Sequence, residues 1–405
     1  MNVLFLAPGY PAEMPFFVRA LRSQGAHVIG VGDGPEHDLA QVARENLAGY
    51  IRAPGIFADG SDLAAVTRAL GETKIDRVVC NWEPGVLLAG RLRDALTVHG
   101  MGYQALLPYR DKDVMKQQVA AAGLRCPRHQ LAKTEKQVRE AAKALGYPLI
   151  IKPLAGAGSM DTFRCDDAAQ VDAALKKMGH VDDVNVEEFI DGEEYTFDTI
   201  CHEGTPLFYN ICWYRPRPLM ARSVEWISPQ TLALRDPDAQ HLRGGRDLGF
   251  AVLKALKFQT GFTHMEWYLK SNGETVFGEI AARPPGAYTV DLMNWASDID
   301  LYMGFAEAEL KGTFSIDLVR RYNSAIIFKR ARGSGIIRHI AGIDHLRERL
   351  GNRLVTMDLL PVGAHRRDWV QTLVSDGWVA VRDPDLQGVM DAADLVGTDL
   401  QLYAS

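Results

Sequence analysis

The chain is poor in cysteine: Cys80, Cys126, Cys165, Cys201 and Cys212 are all it has, and no two are spaced as CxxC. An odd count without paired spacing argues against both a disulfide framework and a zinc site. No apolar run approaches the length a membrane-spanning helix needs. The opening stretch Met1-Asn2-Val3-Leu4-Phe5-Leu6-Ala7-Pro8 has no charged leader and is interrupted early by proline, which is unlike a signal peptide. A reducing cytoplasm is the expected compartment, with no membrane partner. Neither charge sign dominates: 45 basic residues face 51 acidic ones, for a net charge of −6. A nucleic-acid partner would call for a basic stripe, so none is expected. The first loop, Pro8-Gly9-Tyr10-Pro11, lacks the GxGxxG that lets a pyrophosphate approach the backbone, so a dinucleotide fingerprint is absent.

What is present is ordinary globular material. Of the 405 residues, 47% are hydrophobic, enough for sizeable cores and roughly two to three domains. Residues 3–7, 27–31 and 77–81 are strand-like, and residues 12–24 and 62–70 are helical. Such alternation predicts a parallel sheet covered by helices over residues 1–105. Helical patterns at 111–123, 136–145 and 168–178 surround strand-like segments at 149–153, 184–190 and 195–201. These predict helices beside a largely antiparallel sheet. A helix at 244–258 leads into the most informative segment, and composition changes near 313–325, where a last segment begins.

That segment runs Thr263-His264-Met265-Glu266-Trp267-Tyr268-Leu269, then Lys270-Ser271-Asn272-Gly273-Glu274-Thr275, then Val276-Phe277-Gly278-Glu279-Ile280-Ala281-Ala282-Arg283. Asn-Gly between strand-like runs is a strong hairpin signal. With Asn272 and Gly273 at the two turn positions, Leu269 faces Val276 and Glu266 faces Glu279. Side chains alternate along a strand. One face then carries Met265, Trp267, Leu269, Val276 and Ile280; the other carries His264, Glu266, Tyr268, Phe277, Glu279 and Arg283. Two carboxylates directly opposed sit about 4.5–5.5 Å apart at Cβ, and like charges there are destabilising. A shared hard cation such as Mg²⁺ would offset that repulsion. Taken alone, the hairpin reads equally well as a surface element with two solvated glutamates.

Three further segments bear on the choice. Lys152 ends an apolar strand and is followed by the glycine-rich stretch Leu154-Ala155-Gly156-Ala157-Gly158-Ser159. Backbone N–H groups of such a loop can cover a phosphate beside a lysine, although a lysine before a flexible loop is also a common surface feature. Lys112 lies just inside a helix start. Val186-Glu187-Glu188-Phe189-Ile190-Asp191-Gly192-Glu193-Glu194 is an acidic strand-turn-strand whose edge can offer backbone groups to a flat base.

The ordered series of Lys112, Lys152 with its glycine loop, the EExxxGxE segment and Glu266…Glu279-x-x-x-Arg283 resembles the ATP-grasp superfamily, specifically its carboxylate–amine ligases that join amino acids. The resemblance implies an ATP-grasp fold, mixed α/β and α+β: an N-terminal Rossmann-like parallel-sheet domain at 1–105, a small lid subdomain with the glycine-rich loop at 106–190, a larger antiparallel-sheet core with the metal site at 191–315, and a C-terminal subdomain packing on that core at 316–405. It implies that Lys112 and Lys152 contact ATP phosphates and that Gly156, Gly158 and Ser159 close over them. Glu187, Glu188 and Ile190 match the hinge that reads adenine, the last two by main chain. Glu194 matches the ribose-binding acid, and Tyr268 is placed among the nucleotide contacts. Glu266 and Glu279 match the metal ligands, for one or two Mg²⁺ or for Mn²⁺. Arg283 matches the arginine that steadies the reacting groups.

In much of the superfamily an asparagine follows the second metal glutamate by two residues; here that position is Ala281, which cannot ligate a cation. The substrate segment is less legible. Arg215 and Arg217 are assigned to a substrate carboxylate and Glu225 to an amino group. The expected activity is ATP-dependent amide or peptide bond formation through an acyl phosphate, acting on small carboxylate and amine substrates, amino acids among them, in a homodimer. A related carboxylase, a small-molecule kinase and a nucleotide-binding module without catalysis are the rival readings.

Overall fold

The computed structural model describes residues 1–58, 63–153, 162–179 and 183–405. Strand counts below refer to those residues. The N-terminal strands are β1 (Asn2–Leu6), β2 (His27–Gly32), β3 (Gly49–Arg52) and β4 (Arg77–Cys80), all parallel and ordered β3-β2-β1-β4. The apolar run Val3-Leu4-Phe5-Leu6 is fully buried, as the central strand of a sheet covered on both faces requires. The sequence pattern did not anticipate β3.

The next unit is an antiparallel sheet ordered β5-β8-β6-β7, built from β5 (His129–Ala132), β6 (Leu149–Pro153), β7 (Phe163–Cys165) and β8 (Val184–Glu188). Helices Glu135–Leu145 and Ala168–Lys177 cover it, each started by a side-chain cap: Thr134 accepts from the Gln137 N–H and Asp167 from the Gln170 N–H. Its apolar cluster runs from Ala132 to Val186. The expected lid began at 106, but Leu106, Tyr109, Met115 and Val119 pack into the central core instead. Helix Lys112–Ala121 therefore lies on the body beside the β13–β14 hairpin (Gly261–Leu269 and Thr275–Ala281). The expected loop positions Gly156, Gly158 and Ser159 lie outside the described residues.

The large sheet takes in β9 (Glu193–His202), β10 (Thr205–Asn210), β11 (Cys212–Arg215), β12 (Gln230–Ala233), β13 (Gly261–Leu269), β14 (Thr275–Ala281) and β15 (Asn323–Phe328). After it come β16 (Arg332–Gly333), β17 (Ile337–Ala341), β18 (Leu354–Leu359), β19 (Gly377–Asp383) and β20 (Gln401–Ala404). The path is β14-β13-β9-β11-β12-β15-β19-β18, with β10 paired to β9; β16, β20 and β17 form a small separate sheet. The segment expected to pack on the core thus extends the same sheet through β15, β19 and β18. Its far face meets the N-terminal domain. There Phe17, from helix Met14–Ser23, sits edge-on to Tyr302 at 4.8 Å and to Phe305 at 5.1 Å.

The hairpin forms, and Glu266 pairs with Glu279. The route to that pairing differs from the expected one in two ways that cancel. Gly273 N–H bonds to the Lys270 carbonyl and Gly273 has φ +84°, so the connection is a three-residue loop ending in a left-handed glycine. That shifts the register by one: Leu269 pairs with Thr275 and Trp267 with Phe277. A bulge between Glu266 and Trp267 then absorbs one extra residue, Gly278, and restores the Glu266–Glu279 pair. Phe277 accordingly joins Trp267 in the core rather than sharing the carboxylate face. A Cβ on Gly278 would lie 2.8 Å from the Glu266 carbonyl oxygen. Gly278→Ala is therefore expected to cost about 1–3 kcal/mol of stability. Chemical denaturation would check this; a variant as stable as the wild type would show that the bulge has room for a side chain.

Candidate active site

Helix Lys112–Ala121 starts with Asp111, whose carboxylate accepts from the Asp113 and Val114 N–H groups. It packs against β14, where Met115 Sδ accepts from the Ile280 N–H at 3.4 Å. This docking aims two lysines, one helical turn apart, into the same region. Lys112 Nζ lies 3.5 Å from Glu279 Oε2. Lys116, fully buried, is ion-paired with Glu187 Oε2. From β6, Lys152 Nζ reaches Glu187 Oε1 at 2.7 Å. Glu187 thus has a lysine on each oxygen, and Asn185 Nδ2 adds a hydrogen bond at 3.3 Å. Burial and the neighbouring Lys152 push the Lys116 ammonium well below its ordinary range. Removing one partner of such a buried pair is far more damaging than replacing both.

Burial works to raise the Glu279 carboxyl, but Lys112, Lys152, Lys116 and Arg283 together outweigh it and hold the group well below the usual carboxylate range. Glu279 is therefore an anion set among cations. Across from it, Glu266 Oε1 accepts from the Tyr214 hydroxyl at 3.4 Å and lies 3.6 Å from His264 Nε2. His264 Nδ1 lies 2.7 Å from Asp198 Oδ1 on β9. Burial alone would lower that imidazole; Asp198 and Glu266 overcome it and push it up to about 9.

Arg283 follows β14 by two residues, and its Nε is held by Glu83 Oε2 at 2.6 Å. Glu83 comes from the N-terminal domain, just past β4, and its other oxygen takes Arg110 Nη1 at 2.6 Å. Arg283 Nη1 donates to its own neighbour, the Pro284 carbonyl. On the opposite side Arg217 Nε is 3.3 Å from Glu194 Oε2, and Arg217 Nη1 donates to the Ile190 carbonyl at 2.8 Å. The same guanidinium lies over the Phe189 and Tyr268 rings at 4.8 and 5.0 Å. Burial and the Glu266 charge raise the Glu194 carboxyl, and Arg217 offsets this only in part.

Lys112, Lys152, Glu187, Glu194, Glu266, Tyr268, Glu279 and Arg283 thus share one electrostatically linked cluster. Three other expected residues are engaged differently. Glu188 bonds to Arg125 Nη2 at 2.9 Å and to Arg128 Nε at 3.3 Å, and its N–H is already given to the Arg128 carbonyl. Arg215, the last residue of β11, points to Gln230 and Asp394, whereas Arg217, past the strand's end and Pro216, turns to Glu194 and the Ile190 carbonyl, so the two do not converge on one substrate carboxylate as expected. Glu225 is bound to Arg366 Nη2 at 2.9 Å, and its segment wraps the Arg330 guanidinium. Sequence reasoning also passed over Lys116, Tyr214, Asp198 and Glu83. The four-residue spacing from Lys112 was a usable signal for Lys116. Position at the carboxyl end of a parallel strand was one for Glu83.

Two opposed carboxylates suit Mg²⁺, which takes few protein ligands and fills its shell with water and phosphate oxygens. Ala281 adds no ligand, and among the described residues no group of three or more His, Cys, Asp or Glu is arranged to hold a metal. No helix among those residues is long and apolar enough to cross a membrane.

Comparison with known proteins bears on the domain and the fold. Residues 109–213 match the ATP-grasp domain family. An L-arginine-specific L-amino acid ligase of Bacillus subtilis is 27% identical over 218 residues, 52% of each chain. A D-alanine–D-alanine ligase of Ralstonia pickettii is 29% identical over 183 residues, 42% of this chain and 53% of that one. The chain spans about half the length of these curated relatives. In three dimensions it is similar to an L-amino acid ligase from Bacillus licheniformis, with a TM-score of 0.81 at 18% identity over 100% of this chain and 98% of that one. Residues 109–213 therefore carry an ATP-grasp domain, and the chain as a whole has the fold of that L-amino acid ligase structure.

Proposed function

We propose that this chain is an ATP-dependent ligase that joins a small carboxylic acid to an amine through an acyl phosphate, releasing ADP and phosphate, with amino acids as substrates. The observation that carries the reading is the opposed pair Glu266 and Glu279 inside a ring of Lys112, Lys116, Lys152 and Arg283. A binding surface alone has no need to face two carboxylates within one cluster. A carboxylate is a poor electrophile because oxide is a poor leaving group; phosphorylation replaces oxide with phosphate. Charge then develops on phosphoryl and acyl oxygens, where fixed cations act without reorganising.

Lys112 and Lys152 take the nucleotide phosphates in this reading, and Glu187 holds Lys152 in place. Glu194, Tyr268 and Ile190 border the nucleoside, with Arg217 fixing Glu194. Glu266 and Glu279 would hold Mg²⁺, which would supply positive charge to neutralise the phosphates. His264 and Tyr214 orient Glu266. Arg283, set by Glu83, meets the developing acyl and phosphoryl charge. Gly156, Gly158 and Ser159, outside the described residues, are assigned to the phosphates by the family resemblance alone. The same reading places the enzyme in the cytoplasm as a homodimer, the dimer resting on the family resemblance alone.

The test is a phosphate-release screen over pairs of amino acids with ATP and Mg²⁺, with mass spectrometry of the products. Phosphate is expected only when both an acid and an amine are present, with an amide product at the summed mass less water. A phosphorylated acid as final product would make the protein a kinase, and incorporation of labelled bicarbonate would make it a carboxylase. Tight ATP binding with no turnover across the panel would overturn the catalytic reading.

A further inference from the structure

Three aromatic rings from three separate loops meet at the carboxyl edge of the N-terminal sheet. Tyr10 follows β1, Phe57 follows β3 and Trp82 follows β4. Trp82 stands edge-on to both of the others: its ring centroid is 5.6 Å from Tyr10 at 86° and 5.0 Å from Phe57 at 81°. Edge-on pairs of this kind stabilise one another, but here the assembly stays in contact with water. Tyr10 is 65% exposed, and Trp82 and Phe57 are only partly covered. Single exposed aromatics are ordinary; contiguous ones joined from three loops mark a surface meant to be covered.

The position of this ledge says what covers it. In open parallel sheets, ligands sit beyond the carboxyl ends of the strands. Trp82 is the residue before Glu83, the carboxylate that holds Arg283 at 2.6 Å. Tyr10 precedes Glu13 by three residues. Glu13 is only 4% exposed, accepts from the Tyr288 N–H at 2.7 Å and feels the charge of Arg283. Asn81, on the other side of Trp82, is 5% exposed, and its Nδ2 has no hydrogen-bond partner among the described residues. Through Glu83 and Glu13, the loops that carry Trp82 and Tyr10 thus border Arg283, where the activated carboxylate would lie.

We propose that Tyr10, Phe57 and Trp82 form a subsite for the side chain of the acid that is phosphorylated, and that this acid carries an aromatic or bulky apolar group. The inference rests on the ligase reading above. Its physical content is a preference: covering one large apolar side chain is favoured over leaving it in water.

The experiment measures kcat/KM for phosphate release with L-phenylalanine and L-alanine as the acid, each with a saturating amine, in wild type, Trp82→Ala and Tyr10→Ala. The wild type is expected to favour phenylalanine by about tenfold or more, and both variants to collapse that ratio. Trp82→Phe should restore part of it, which a merely unfolded protein would not allow. A wild type without the preference, or variants that keep it, would overturn the subsite. If no pair of substrates gives turnover, the ligase reading has failed separately, and calorimetry decides the ledge. L-phenylalanine binding to the ATP-loaded protein, lost in Trp82→Ala, supports it; no binding to wild type refutes it.

Discussion

Glu279→Gln is expected to lower phosphate release by about 10³-fold or more and to move the Mg²⁺ requirement to much higher concentrations. Glutamine keeps the shape of the side chain and removes its charge. Four cations, Lys112, Lys116, Lys152 and Arg283, act on that charge, so its loss leaves them mutually repelling where a triphosphate and its cation must settle. The fold should persist. The side chain is 32% exposed, while the residues that fix the strand, Phe277 and Ile280, lie in the core beneath it. Rates measured across a Mg²⁺ titration, with a thermal melt as control, would check this. A variant with wild-type turnover at wild-type Mg²⁺ would show that Glu279 is not a metal ligand.

Arg283→Met should act differently. Its charge reaches Glu266 and Glu279, but its strongest contact is Glu83, contributed by another domain. A group held so firmly before substrate arrives suits charge that appears during the reaction. The expected result is a fall in kcat of about 10²–10³-fold with the ATP KM changed only a few-fold, since little of that charge exists in the ground state. A loss confined to ATP affinity would place Arg283 on the nucleotide instead. Glu83→Gln separates the two ideas further: as a positioning residue it should lower kcat by less than Arg283→Met and leave ATP affinity alone.

Much of the architecture follows from local rules. Buried apolar runs, side-chain caps at Asp111, Thr134 and Asp167, and Gly-Tyr-Pro after residue 145 locate strands and helices close to where they lie. The ribbon of parallel strands and the antiparallel lid follow from the order of those elements. The hairpin is instructive because its pairing was anticipated through a register that does not occur. The turn is one residue longer than Asn-Gly alone suggests, and the bulge at Gly278 takes up the difference. A bulge of this kind leaves little local trace beyond the glycine itself, since what demands it is the close approach of the Glu266 carbonyl.

The amino-acid order by itself determined which side chains of β13 and β14 lie near the bend, because turn chemistry and strand alternation act over a few residues. It also determined that lysines, carboxylates and an arginine would recur in one series. Tertiary structure alone decided which of them touch. Lys116 meets Glu187 across 71 positions and Arg283 meets Glu83 across 200, while Arg215 and Glu225 turn to other partners. Such contacts are set by how a helix docks on a sheet and how one domain closes on another. Electrostatic attraction falls off with distance in space and takes no account of separation along the chain.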